Sequence, residues 1–195
     1  MFFKQFFEKE SSTYTYMLGC EETREAVLID PVASDIEIYA KELEQHQFTL
    51  IYTLDTHVHA DHITAANLLR ERFHCKSVLH RNSDVSCGDI LITDGCTLKL
   101  GKLSIEARYT PGHTNACTSY LVGNMVFTGD ALLIDGCGIL HHQEFGSASH
   151  IGFELGIATI GVAKTLLSVD GLHENDVKKE FKEKSCRTWY WIRFR

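Results

Sequence analysis

Six residues between positions 57 and 130 have the types and spacings of a metal site. In Thr56-His57-Val58-His59-Ala60-Asp61-His62, four ligand-type side chains fall within six positions. An extended segment alternates its side chains with a period of two, so His57 and His59 project to one side and both can reach one ion. Asp61 and His62 follow where the chain turns into a helix; they point elsewhere and can serve a neighbouring metal position. A further imidazole, His113, stands in Thr110-Pro111-Gly112-His113-Thr114, where proline fixes the approach and glycine lets the backbone pass close to a ligand. Phe127-Thr128-Gly129-Asp130 puts a carboxylate at the end of an apolar strand, where one oxygen can bind a metal or two can bridge a pair. A single histidine or Gly-Asp pair of this kind is ordinarily a surface or hydrogen-bonding residue. The convergence of six such residues on three loops is what points to a metal. His46, His74 and His80 stand alone and are read as structural.

Elements must hold these residues. Residues 12–18 alternate Thr and Tyr, and residues 26–29 form an apolar run closed by Asp30-Pro31, which reads as two strands joined by a charged turn at residues 21–25. Residues 34–47 carry apolar side chains, Ile38 and Leu43 among them, at helical spacing, with Ser34 or Asp35 placed to cap the start. A strand at residues 48–54 runs into the histidine cluster, and residues 63–73 again have helical periodicity. The cluster thus sits on a strand-to-helix loop. Short strands are expected at residues 76–80, 90–92, 97–100, 103–109, 118–122 and 125–128, separated by Gly or Asn turns. Strand-helix-strand followed by hairpins implies an α/β fold of mixed sheets flanked by helices. From Ile139 onward the pattern breaks down: residues 151–169 are apolar and glycine-dotted, and residues 177–195 carry seven Lys/Arg against two Glu.

At 195 residues and 44% hydrophobic content, the chain is sized for one domain with a real core. A net charge of −7, with no Lys/Arg-rich stripe before the last twenty residues, argues against a nucleic-acid or membrane-surface partner. No apolar run approaches the roughly 18 residues that span a bilayer. Lys4, Glu8 and Lys9 interrupt the start where a signal peptide would stay apolar, and no Arg-rich, acid-poor presequence precedes the first strand, so a cytoplasmic location is expected. The seven cysteines include no Cys-x-x-Cys pair, which fits a reducing compartment.

Taken in order, T-H-V-H-A-D-H, T-P-G-H-T and F-T-G-D resemble the metal motifs of the metallo-β-lactamase superfamily. S-S-T-Y-T-Y-M-L, D-T-H-V-H-A-D-H-I-T and F-T-G-D-A-L-L-I-D-G-C-G resemble more closely the persulfide dioxygenases, relatives of glyoxalase II, over roughly residues 2–138. The resemblance implies an αββα sandwich, with residues 1–138 as the matched domain and residues 139–195 as a divergent segment that leaves its C-terminal part incomplete. It implies one Fe(II) per chain, held by His57, His113 and Asp130. His59 is a further ligand candidate in an alternative arrangement; with Asp61 and His62 it otherwise lines the site. Asp61 and His62 are the candidates for catalytic roles, Asp61 as acceptor of an imidazole N–H. The implied reaction converts glutathione persulfide, O₂ and water to sulfite and glutathione. The implied partners are therefore small molecules, and a homodimer is one expected assembly.

The chain departs from that family after Gly138. Persulfide dioxygenases continue Gly-Cys-Gly with Arg-Thr-Asp-Phe, the arginine helping to form the glutathione pocket, whereas Ile139-Leu140-His141-His142 stands here. A glutathione carboxylate then needs another cation. No late Tyr-Pro-(Ala/Gly)-His-Asp-Tyr segment appears; His173 is the nearest substitute by spacing, without the strand and proline that would place it. Two accounts of the tail are open: a truncation or frame shift near codon 139, or a genuine divergence that recruits His141 and His142. Two further functions also stay open. One is a glyoxalase II-type thioester hydrolase, with one or two zinc ions shared among His57, His59, His113, Asp61, His62 and a bridging Asp130. The other is an inactive metal-binding relative.

Overall fold

The computed structural model describes residues 1–131. The chain divides into two units after Gly129, and the described residues of the second are Asp130 and Ala131. Ile139, His141, His142, His173 and the expected boundary at residue 138 lie outside the described residues.

Three antiparallel strands begin the first unit: β1 (Phe2–Glu8), β2 (Thr13–Cys20) and β3 (Glu25–Ile29). The helix α1 (Ile36–Gln45) returns the chain so that β4 (Thr49–Leu54) runs parallel to β3, and α2 (Ala66–Phe73) does the same for β5 (Lys76–His80). With β6 (Ile90–Ile92) these make a six-stranded sheet in the order β1-β2-β3-β4-β5-β6. A second, antiparallel sheet has the order β10-β9-β8-β7, built from β7 (Thr97–Leu100), β8 (Leu103–Tyr109), β9 (Thr118–Val122) and β10 (Met125–Phe127).

Alternation along the central strands feeds two cores. Leu18, Val27 and Ile29 face the second sheet and pack with Ile105, Ala107, Tyr120 and Val122. Met17, Ala26 and Leu28 face the other way, onto Tyr39, Leu43 and Leu69 of the helices. A strand buried on both faces reads as a continuous apolar run, which is why Ala26-Val27-Leu28-Ile29 shows no polar alternation. The layers are thus helices, mixed sheet, antiparallel sheet. No helix among the described residues is long and apolar enough to cross a membrane.

The expected elements appear with three differences. β1 escaped the sequence reading because its Phe-Phe doublets at 2–3 and 6–7 break the period of two. It is an edge strand, paired in register with β2 from Phe2↔Gly19 to Glu8↔Thr13. The helix after the histidine loop starts at Ala66 rather than Ile63, because Thr64 is drawn into a bridge with Val32. Neither Ser34 nor Asp35 caps α1 with its side chain; a short 3₁₀ turn, Ala33–Asp35, leads into it instead.

Tyr39 links α1 to this frame. Thr15 gives its hydroxyl proton to the Asp30 carbonyl at 2.6 Å, so the fully buried Tyr39 hydroxyl, 3.0 Å from Thr15 Oγ1, donates to that oxygen and accepts from the Val32 N–H at 3.1 Å. Tyr39→Phe leaves the buried Val32 N–H without its acceptor, and a loss of roughly 1–3 kcal/mol in urea unfolding is expected. An unchanged urea midpoint would show that the phenol does not hold this corner.

Candidate metal centre

Parallel β3 and β4 end side by side, and the polar residues that follow each meet there; ligand sites commonly form at the carboxyl ends of parallel strands. Asp30 follows β3, and its N–H donates to the Leu54 carbonyl at 2.8 Å. Its buried carboxylate accepts from Thr56 N at 2.7 Å, from Thr56 Oγ1 at 2.9 Å and from His59 Nε2 at 3.0 Å. Asp55, also buried, accepts from Thr64 Oγ1 at 3.0 Å. Burial, and then the charge of Asp30, push the Asp55 carboxyl up to about 7. Asp30 and Asp55 were not among the residues singled out from sequence, where Asp30-Pro31 read only as a strand terminator.

This frame fixes the proton of His57. Thr56 gives its hydroxyl proton to Asp30, so Thr56 Oγ1, 3.0 Å from His57 Nδ1, accepts the Nδ1–H. The lone pair of His57 then lies on Nε2, the form a metal requires. His59 is held differently. Its Nε2 is committed to Asp30, and its Nδ1 stands 4.0 Å from Asp61. Burial alone would lower the His59 pKa, but Asp30, Asp55 and Asp61 together outweigh it and raise the value.

His59, Asp61 and His62 form a second group, with a ligand-type atom of each within 4.8 Å of the others. Asp61 is half exposed, whereas the His62 side chain is only 4% exposed. Burial and the neighbouring His59 lower the His62 pKa against the opposing pull of Asp61, which keeps the ring neutral at pH 7. His62 Nδ1 lies 3.2 Å from both Asp61 Oδ1 and Thr13 Oγ1. Its buried Nε2 finds no hydrogen-bond partner among the described residues. Such an acceptor costs free energy unless a ligand satisfies it, so the donor set fits a cation or a proton-bearing ligand at this place.

His113 meets His57 edge to face, ring centroids 4.9 Å apart. Its loop leaves β8 and returns as β9, and both ends are tied. Thr110 Oγ1 and Ser119 Oγ lie 2.9 Å apart across its base, and Thr118 N donates to the Thr56 carbonyl at 2.8 Å, joining this loop to the first histidine loop. Tyr109, another residue the sequence did not single out, gives its phenol proton to the Asn115 carbonyl at 2.9 Å and stacks on His80 at 4.5 Å. His80 is therefore structural, as expected, and so are His46, paired with Glu42 at 3.0 Å, and His74, which ends α2 at φ 56°.

Asp130 follows Gly129 directly, and Gly129 is packed on the histidine frame. Its φ is +49°, and a Cβ there would stand 2.1 Å from Thr56 Oγ1. The glycine of F-T-G-D is thus required by contact with the residue that orients His57.

Comparison with known proteins places this arrangement. Over 144 residues the chain is 44% identical to "Persulfide dioxygenase ETHE1, mitochondrial" of Bos taurus, covering 72% of this chain and 56% of that protein. The crystal structure of ETHE1 from Myxococcus xanthus matches with a TM-score of 0.73 and 43% identity, covering 80% of this chain and 71% of that one. The chain belongs to the persulfide dioxygenase family. A metallo-β-lactamase from Staphylococcus aureus, 23% identical with a TM-score of 0.64, covers 93% of this chain and 51% of that one, a likeness of fold. The α/β architecture is accordingly the metallo-β-lactamase fold expected from sequence. This family member spans about 56% of the length of its bovine relative. An Endonuclease V family profile matches residues 114–190, under half of the chain, beginning directly after His113.

In this persulfide dioxygenase relative, Gly129→Ala is expected to cost more than the ~1–3 kcal/mol of a left-handed alanine alone, because the Thr56 clash adds to it. Gly95→Ala, at φ +72° with nothing within 4 Å of the new carbon, carries only the backbone cost. Equal losses for the two in urea unfolding would show that Thr56 tolerates the intrusion.

Proposed function

We propose that this chain carries the metal-binding part of a persulfide dioxygenase, with one Fe(II) held by His57, His113 and Asp130 and a thiol persulfide of the glutathione type as substrate beside O₂. The observation that carries this reading is the Asp30–Thr56–His57 chain of hydrogen bonds. It holds the His57 ring by its Nδ1–H, edge to face with His113, beside a loop that delivers Asp130 one residue after the glycine packed on Thr56. Iron(II) bound by two histidines and one carboxylate supplies open positions at which a sulfur ligand and O₂ meet.

The protein's own part is positioning and charge control. Asp30 orients Thr56 and, through it, His57; the raised Asp55 carboxyl keeps a second full negative charge out of the same buried corner. His62 offers a neutral ring with an Nε2 lone pair, suited to accept a hydrogen bond from the S–H of a persulfide. A reducing, cytoplasm-like compartment is part of the proposal, supported by seven cysteines whose spacing includes no Cys-x-x-Cys pair.

One observation favours a second reading. The His59–Asp61–His62 group offers ligand atoms for a second ion, as a thioester hydrolase of the glyoxalase II type would need. Metal count separates the two. The expected result is one iron per chain and O₂ uptake that depends on glutathione persulfide and is lost in His113→Ala. Two bound zinc ions with thioester hydrolysis and no such uptake would overturn the dioxygenase reading.

We further propose that residues 1–138 form the metal domain and that residues 139–195 are a separate stretch joined in frame. The persulfide dioxygenase likeness covers 72% of this chain, which supports a separate remainder. Sequencing the transcript through codon 139 is expected to give one continuous frame with no Arg-Thr-Asp-Phe in the other two. Finding that tetrapeptide in another frame would restore the frame shift.

A further inference from the structure

The β1–β2 turn lies far in sequence from the histidine loop and was noted only as part of a family-like motif, yet it touches the centre. Ser11 donates from Oγ to Glu8 Oε2 at 2.7 Å, and Ser11 Oγ and Thr13 Oγ1 are 2.8 Å apart. Each hydroxyl has one proton. Ser11 has spent its proton on the carboxylate, so Thr13 must donate to Ser11. Thr13 Oγ1 then has only lone pairs to offer His62 Nδ1 at 3.2 Å, and the proton of that contact belongs to the imidazole. The carboxylate of Asp61, at 3.2 Å from the same nitrogen, makes the same demand.

We infer that Glu8, Ser11 and Thr13 are a relay of positioning residues that hold the His62 proton on Nδ1 and turn the Nε2 lone pair toward a ligand of the centre. The direction of the relay is set by Glu8. The backbone N–H of Glu10, then Ser11, hold its carboxyl down to about 2, so it accepts at any physiological pH. The relay parallels the Asp30–Thr56–His57 chain: carboxylate, hydroxyl, imidazole, with the carboxylate dictating which ring nitrogen is bare. It gives His62 a defined role as hydrogen-bond acceptor for an S–H or O–H ligand, and it assigns a function to the Ser-Ser-Thr turn that the metal motifs leave unexplained.

This inference deepens the dioxygenase reading, since His62 matters only if the centre binds such a ligand, but its test does not depend on activity. Imidazole nitrogen spectra of the metal-free full-length chain report the tautomer of each ring, with His62→Gln identifying the signal. The native ring is expected in the Nδ1–H form. Ser11→Ala frees the Thr13 proton to turn onto Nδ1, and Thr13→Val removes the acceptor and leaves only the half-exposed Asp61. Each is expected to move the Nδ1–H to Nε2–H ratio about three- to tenfold toward Nε2–H, the range a single hydrogen bond spans. Thr13→Ser restores the native ratio. A native His62 carrying its proton on Nε2, or spectra of Ser11→Ala and Thr13→Val identical to the native one, would overturn the relay. Absent persulfide-dependent O₂ uptake with the tautomer shifts intact would instead overturn the dioxygenase reading and leave the relay standing.

Discussion

Because β3 and β4 run parallel, the Asp30 carboxylate that follows one and the histidine loop that follows the other emerge side by side, and the carboxylate binds the loop. Two of its contacts go to Thr56 and one to His59, so a single buried anion fixes the backbone ahead of His57 and the ring two residues beyond it. A buried charge is costly unless it is fully hydrogen-bonded, and here the three donors are the loop itself. The loop therefore cannot relax without exposing Asp30 to an unpaired state, which makes its shape stiff without any regular secondary structure. Gly129 then fits against Thr56, and the last sequence-predicted ligand follows it.

The chemistry of the site is set less by the histidines than by the hydroxyls beside them. A neutral imidazole has two tautomers, and a metal or a substrate proton can use only the one whose lone pair faces it. Thr56 and Thr13 each settle that choice for one ring, and each is polarised by a carboxylate further out. Asp55 complements this with a carboxyl pushed up to about 7 by burial and by Asp30, so the corner that Asp30 already charges does not carry two full anions at neutral pH.

Much of this was legible in the sequence because ligand residues must be particular types at particular spacings. His57, His59, Asp61 and His62, the His113 loop and the Gly129-Asp130 turn stand out by composition alone, and the strands that lead to them show their periods plainly. What stayed hidden was ordinary residues in ordinary places. Asp30 looked like a strand terminator, Tyr109 like the end of a strand, and Thr13 like one of several alternating Thr and Tyr. Their roles come from partners 6 to 49 positions away, which no local pattern encodes. β1 was missed for a local reason, the phenylalanine doublets that blur its alternation.

The ties between the two sheets bear on the order in which the molecule can assemble. The carbonyl of Thr56 waits for the N–H of Thr118, and the carbonyl of Asp55 for the hydroxyl of Tyr120, 65 residues further along the chain. Closing loops of that length costs entropy before any contact repays it, so pairings of high sequence separation form late. The His-x-His-x-Asp-His loop thus takes its final geometry only once β9 has docked. A nascent chain that stops before that strand bears the whole histidine motif but not the site, and the centre's geometry is a record that the second sheet has folded onto the first.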